Sequence, residues 1–326
     1  MPAATIGRVN FASHPVVASL TPVFLLIAAG YLAGRLEWIR ESAVRDLSNL
    51  VFLLLIPALL FRTMSGVHVE TLDLSPLLAY FPAALLLLGV SIAWRGFNRT
   101  SVVLALGGVF SNMVMIGITL VELAYGKAAL VTLLTLVSVH ALILLTVGSV
   151  VLELVVAKEA RAGGERAPHV LQTAWSAFKG ALIHPIPLPI ISGLLYAQTG
   201  WGLPAMVDKP LQLLGSAFGP IALVLVGVTL ARTPLRGQLV PALWITLSKN
   251  LVLPLLVGLA AWGVGISGLP LTVMVVAAAL PMGANVFLFA QRYEVAQELT
   301  TAAMGVSTVL ALFTLSAVML VMAYLN

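Results

Sequence analysis

Apolar runs of about 20 residues recur along this chain, with no strand-like alternation of polar and apolar positions. Wound as α-helices, runs of that length match the hydrocarbon thickness of a bilayer. Only 9% of the 326 residues are charged and 60% are hydrophobic, whereas a soluble domain is about a quarter charged. The chain is therefore expected to be an all-α integral membrane protein. Ten spans are predicted, at 16–34, 45–64, 75–95, 101–124, 128–156, 178–198, 209–231, 239–262, 268–290 and 297–325. The first reads as a retained span rather than a signal peptide, because no clear cleavage site follows an apolar core in the first fifteen residues. The absence of cysteine excludes a disulfide scaffold and thiolate metal sites.

The formal charge is +5 and the pI about 9.7. Nucleic acid is not the expected partner, since the basic residues lie between apolar spans and form no stripe. Loops after the odd-numbered spans hold Arg35, Arg40, Arg45, Arg95, Arg99, Lys158, Arg161, Arg166, Lys179, Arg232, Arg236 and Arg292. The opposite side holds Arg8, Arg62, Lys127 and Lys209. Twelve against four predicts a cell-membrane protein with both termini outside the cytoplasm.

A polar interlude, Lys158–His169, falls near the midpoint and reads as a mobile linker. Around it the halves repeat. Pro22, Gly30, Trp38 and Pro57 stand 163 residues before Pro185, Gly193, Trp201 and Pro220. After small insertions Asn112 aligns with Asn285, and His140 and Thr146 with Thr308 and Thr314. The expected organisation is a first five-helix repeat (1–157), a cytoplasmic linker (158–177) and a second repeat (178–326). Five spans per repeat invert the second half relative to the first, a plan found in many secondary transporters.

Polar groups interrupt two spans. Ala279–Gln291 carries Pro281, Gly283 and Asn285 inside an apolar run. Proline removes a backbone donor, and glycine lets the chain leave helical geometry. In span 4, Gly107, Gly108 and Gly117 bracket Ser111 and Asn112. Broken helices survive at membrane depth only when buried in protein or lining a wet cavity. If both spans break, their half-helix N-termini can seat a carboxylate. Asn112 and Asn285 then either hold substrate or satisfy only the broken backbone. Lys249 lies deep in span 8. A charge there costs roughly 2.5–3.5 kcal/mol on the insertion scale, so a bound anion or the carbonyl end of a broken helix should balance it. His140, mid-span, is a candidate for proton coupling or a neutral core residue. Glu122, near the end of span 4, is a second candidate for coupling or an interfacial carboxylate.

No zinc-binding His-Glu-x-x-His, no Walker loop and no paired membrane aspartates occur. No catalytic residue, metal or cofactor is expected, and transport would run on gradients or membrane potential.

Three stretches, Pro22–Tyr31, Leu47–Phe61 and Ala279-Leu-Pro-Met-Gly-Ala-Asn with Phe289–Tyr293, resemble the auxin efflux carrier family in order and spacing. That family includes plant PIN-type carriers and bacterial malonate and malate carriers. The resemblance implies ten helices in two inverted repeats, with a scaffold of spans 1, 2, 6 and 7. Spans 3–5 and 8–10 would form a transport domain, with spans 4 and 9 crossing at their breaks and elevator-like movement. It also implies a homodimer through the scaffold. One departure stands out: Gly117-Ile118 is followed by Thr119, where such carriers usually have proline. The span 4 break is thus expected to rest on glycines and to be softer, or displaced toward Gly107-Gly108.

The expected function is secondary or potential-driven transport of a small organic anion, a mono- or dicarboxylate or an auxin-like acid. Ser111, Asn112, Lys249, Pro281, Gly283 and Asn285 are the expected substrate-site residues. The alternatives are a sodium-coupled carrier of the bile-acid type and a non-transporting sensor using the same cleft. A membrane-embedded enzyme ranks below both for want of an acid–base pair.

Overall fold

Pro22, Pro82, Pro210 and Pro220 lie inside continuous helices, whereas the runs near Gly107-Gly108 and Pro281-Gly283 are divided into separate helical segments. The computed structural model describes residues 15–162, 175, 179, 186–233 and 237–325. Pro185 of the repeat, Arg8, Arg166 and Arg236 of the charge tally, and residues 163–174, 176 and 177 of the expected linker lie outside them. Thirteen α-helices are present among the described residues. They are α1 (Pro15–Arg35), α2 (Glu41–Leu50), α3 (Ile56–Met64), α4 (Ser75–Arg95), α5 (Arg99–Gly107), α6 (Ile118–Ala162) and α7 (Pro187–Ala197). There follow α8 (Ala205–Ala231), α9 (Leu239–Leu247), α10 (Leu253–Gly263), α11 (Gly268–Ala279), α12 (Asn285–Arg292) and α13 (Gln297–Leu325). Seven helices, some joining neighbouring segments, are long and apolar enough to cross a membrane, and α7 and α11 are shorter apolar helices.

Three π-helical turns join segments that read as continuous: Val51–Leu55, Met113–Gly117 and Ser248–Val252. Two have a local cause. Pro57 and Pro254 each follow their turn by two residues, and a proline cannot bond to, and crowds, the carbonyl four residues earlier. Those carbonyls belong to Leu53 and Asn250, inside the π turns, where a wider turn relieves the clash. The third turn is also followed two residues later by the position of interest, Thr119. The wide turn persists there without a proline.

The described start of the expected linker is helical. Lys158–Ala162 continues α6 rather than beginning a mobile segment. Good helix formers fill this stretch, and side chains anchor it. Glu159 pairs with Arg99 at 2.6 Å, and the Lys158 ammonium lies 5.6 Å from the Phe97 ring centroid. Within α6, Gly126 takes φ 77° and ψ −170°, a left-handed corner that separates the run into two helical arms.

Helix α1 packs along α8, and α7 along α3. At the first crossing Gly30 lies against the Val224 backbone, and at the second Gly193 lies against the Phe61 carbonyl. A Cβ on Gly30 would fall 2.0 Å from Val224 O, and one on Gly193 2.7 Å from Phe61 O. Both residues of the first contact are related to those of the second by 163 positions (193−30 and 224−61). Elsewhere α4 packs on α10, α10 on α11, and α9 on α13.

Candidate substrate site at the helix crossing

Helix α5 ends at Gly107, and helical geometry resumes at Met113. The gap lies on the Gly107-Gly108 side of the run. Helix α11 ends at Ala279, and α12 begins at Asn285. The two gaps meet. Asn112 N–H donates to Pro281 O at 2.8 Å, and Gly283 N–H donates to Phe110 O at 2.9 Å. Ser111 and Met282 thereby form an antiparallel β-bridge, so each break satisfies part of the other's backbone. This approach needs glycine at 283, where a Cβ would sit 2.8 Å from the Phe110 ring and 3.2 Å from Ser111 O. Gly117 is similarly confined, with Leu280 Cδ1 2.6 Å from a Cβ position. In this antiparallel register Asn112 stands opposite Pro281 and Phe110 opposite Gly283, so the bridge does not pair Asn112 with Asn285.

The remaining freed groups are met by side chains. Asn112 Oδ1 accepts Met115 N–H at 3.2 Å and caps the π turn. Met282 N–H donates to Ser307 Oγ at 3.0 Å, and Ser307 donates onward to Met304 O. Lys249, fully buried, donates to Ala278 O at 2.5 Å and Leu280 O at 2.7 Å, at the carbonyl end of α11. Its neighbour Asn250 donates to Ser307 O at 3.0 Å and Thr314 Oγ1 at 3.3 Å. Of the two balancing groups considered for Lys249, the carbonyl end is the one in contact.

The crossing borders two pockets. One, of about 60 Å³, is lined by Ser111, Asn112, His140, Gly283 and Asn285, with Phe52 and Phe110. The other, of about 150 Å³, is lined by Ser48, Asn112, Thr229, Met282 and Thr308. Phe52, Asn112, Met115 and Ala284 belong to both. The half-buried Asn285 amide has no hydrogen-bond partner among the described residues, and no side chain caps α12. Two helix N-termini, at Met113 and Asn285, therefore border the smaller pocket, each the positive end of a peptide dipole. The pocket offers uncharged donors and partial positive charge, a set suited to a small anion.

His140 is buried in a cage of Tyr80, Phe81 and Phe110, with the Phe110 ring centroid 4.5 Å away. Its Nε2 lies 3.5 Å from Tyr80 OH, which is 3.1 Å from Ser111 Oγ. Tyr80 was absent from the sequence-based candidates, because a tyrosine in an apolar helix reads as packing. Ser307 was absent from them too, since a serine in an apolar helix carries no signal of its own. Pro281 is buried and contributes its carbonyl. Glu122 stands apart, in a cavity of about 550 Å³ that also holds Lys127 and the Arg62–Asp208 ion pair of 2.7 Å.

Comparison with known proteins points to a transport family. The family model described as membrane transport protein matches residues 15–319. A provisionally named malonate transporter of Rhizobium meliloti (strain 1021) is 27% identical over 314 residues, covering 92% of this chain and 94% of that protein. The uncharacterized transporter YfdV of Escherichia coli (strain K12) is 24% identical over 301 residues, covering 89% and 92%. Auxin efflux carrier component 8 of Arabidopsis thaliana is 23% identical over 335 residues, covering 88% and 91%. The chain belongs to the membrane transport protein family, that of the auxin efflux carriers, and is a multi-pass membrane transporter rather than an enzyme.

Proposed function

We propose that this protein carries a small organic anion, a mono- or dicarboxylate, across the cell membrane by elevator-type alternating access. The anion binds beside the bridge between residues 111 and 282. The α12 N-terminus and the Asn285 amide seat one carboxylate, while Asn112 and Ser111 orient the rest. Lys249 raises the local positive potential from behind the crossing, and Pro281 and Gly283 keep the break open. The observation that carries this reading is the uncapped α12 N-terminus and unpartnered Asn285 amide facing a pocket at the crossing. An anion supplies what those donors lack.

The same reading takes the chain as two inverted five-helix repeats, 1–157 and 178–326, joined through 158–177. Both termini lie outside the cytoplasm. The paired Gly30–Val224 and Gly193–Phe61 contacts support a shared architecture of the halves. Helices α1, α3, α7 and α8 would form the stationary scaffold and the homodimer contact. His140, through Tyr80 and Ser111, is the group through which a coupling proton would reach the pocket. Glu122, in its separate cavity, would act at the mouth of the pathway.

The test is uptake of a panel of radiolabelled carboxylates by reconstituted protein under imposed pH, sodium and voltage gradients. Asn285→Ala should lower flux of the preferred anion on the order of tenfold, the effect of losing about 1.4 kcal/mol of binding. Unchanged flux, with normal yield of folded protein, would remove Asn285 from the site. Ligand binding without flux in any gradient would instead mark the protein as a sensor.

A further inference from the structure

We infer that Lys249 is a tethered cation, its ammonium filling from within the chain a carbonyl-built cation site at the C-terminal end of α11. Ala278 O and Leu280 O both accept from Nζ, at 2.5 and 2.7 Å. The side chain is fully buried. Ion pairs among the described residues are Arg62–Asp208 and Arg99–Glu159, so no carboxylate balances Lys249. What balances it is the negative end of a peptide dipole, roughly half an elementary charge.

Carbonyls at half-helix C-termini and in unwound backbone are the groups with which transporters hold a coupling cation such as sodium. Here two of them already hold one, on a four-carbon stem from the adjacent span. Leu280 is the first residue of the break, with φ −59° and ψ 152°, and the next carbonyl, of Pro281, accepts Asn112 N–H. The ammonium thus fixes the strand that forms the crossing. A soluble ion in this place would come and go with its concentration, whereas a lysine cannot dissociate. Lys249 also lies in the Ser248–Val252 π turn, beside Asn250, whose bond to Ser307 braces the residue that holds Met282 N–H. One turn of span 8 therefore grips the break on both sides. Two consequences follow: the crossing needs no dissolved cation at this end, and removal of the ammonium should open a site for one.

Thermal unfolding of the purified protein tests the site. Wild type should unfold at the same temperature in sodium chloride and in the chloride of a bulky organic cation at equal ionic strength. Lys249→Ala should unfold at a lower temperature and regain at least about 2 °C in ethylammonium or sodium, the scale of one newly occupied site in a chain of this size. Lys249→Met, neutral and of similar length, should be destabilised and regain nothing, because its stem fills the space. The inference is overturned if Lys249→Ala responds to neither cation or if Lys249→Met unfolds with wild type. If Lys249→Ala is recovered only when expressed and purified in ethylammonium, the site is supported; failure in every medium counts against it. Sodium-dependent unfolding of wild type overturns it without any variant. The transport reading enters only in a second measurement, where wild-type flux should be insensitive to a sodium gradient. Should Asn285→Ala leave flux unchanged, that reading fails while the unfolding result stands.

Discussion

The break between α5 and the Met113 turn and the break between α11 and α12 solve one problem in different ways. Each frees backbone groups that an apolar surrounding cannot satisfy. The first settles most of them with its own residues. Asn112 Oδ1 takes Met115 N–H, Asn112 O takes Gly117 N–H, and the N–H groups of Gly108, Val109 and Phe110 turn back to carbonyls of residues 104–106. The second borrows. Lys249 serves its upstream carbonyls, Ser307 serves Met282, and α12 begins with no side-chain cap. Unused hydrogen-bonding capacity remains where local satisfaction stops, at the start of α12 and the Asn285 amide, the place where we propose that the anion binds.

Six substitutions test that contrast. The largest effect should come from Lys249→Met, which strips two buried carbonyls of a charged donor and should cost about 3 kcal/mol in unfolding free energy. Wild-type stability would mean that the second break does not depend on its neighbour. Gly283→Ala should cost about 2 kcal/mol by driving a methyl into Phe110 and the Ser111 backbone. Its counterpart Gly108→Ala, whose nearest contact is the Ser248 hydroxyl at 3.1 Å, should cost less than about 1 kcal/mol. An equal loss at both positions would erase the asymmetry. Ser307→Ala leaves Met282 N–H without its partner and should cost about 1.5 kcal/mol, read from a denaturation curve. Smallest in stability is the amide pair. Asn112→Ala should lose about 1 kcal/mol with its cap, while Asn285→Ala should stay within about 0.5 kcal/mol of wild type. If Asn285→Ala proves the less stable of the two, the second break holds its amide for structure.

Much of this was legible from residue type. Pro281, Gly283 and Asn285 in one apolar run announce a break, and glycines at 107 and 108 announce another. That the two touch is a tertiary fact, resting on hydrogen bonds between residues about 170 apart in sequence. Lys249 was visible as a charge needing a partner, but that the carbonyls of Ala278 and Leu280 lie against it is a tertiary fact. The π turn at Met113–Gly117 could not be read, because the proline that accompanies the other two is replaced by Thr119. Tyr80 escaped notice because its hydroxyl gains meaning only beside Ser111 and His140. That helix α6 runs on to Ala162 could not be read either, because Lys158 and Glu159 look solvent-bound until Phe97 and Arg99 are set beside them.

Where Gly30 meets Val224 and Gly193 meets Phe61, main chain rests on main chain with no layer of side chains between. Such contacts behave as welds rather than bearings, since sliding by even one residue would drive a methyl or larger group into a carbonyl. Under the alternating access we propose, travel would be borne by looser surfaces, with α1 on α8 and α3 on α7 as the keel against which it is measured.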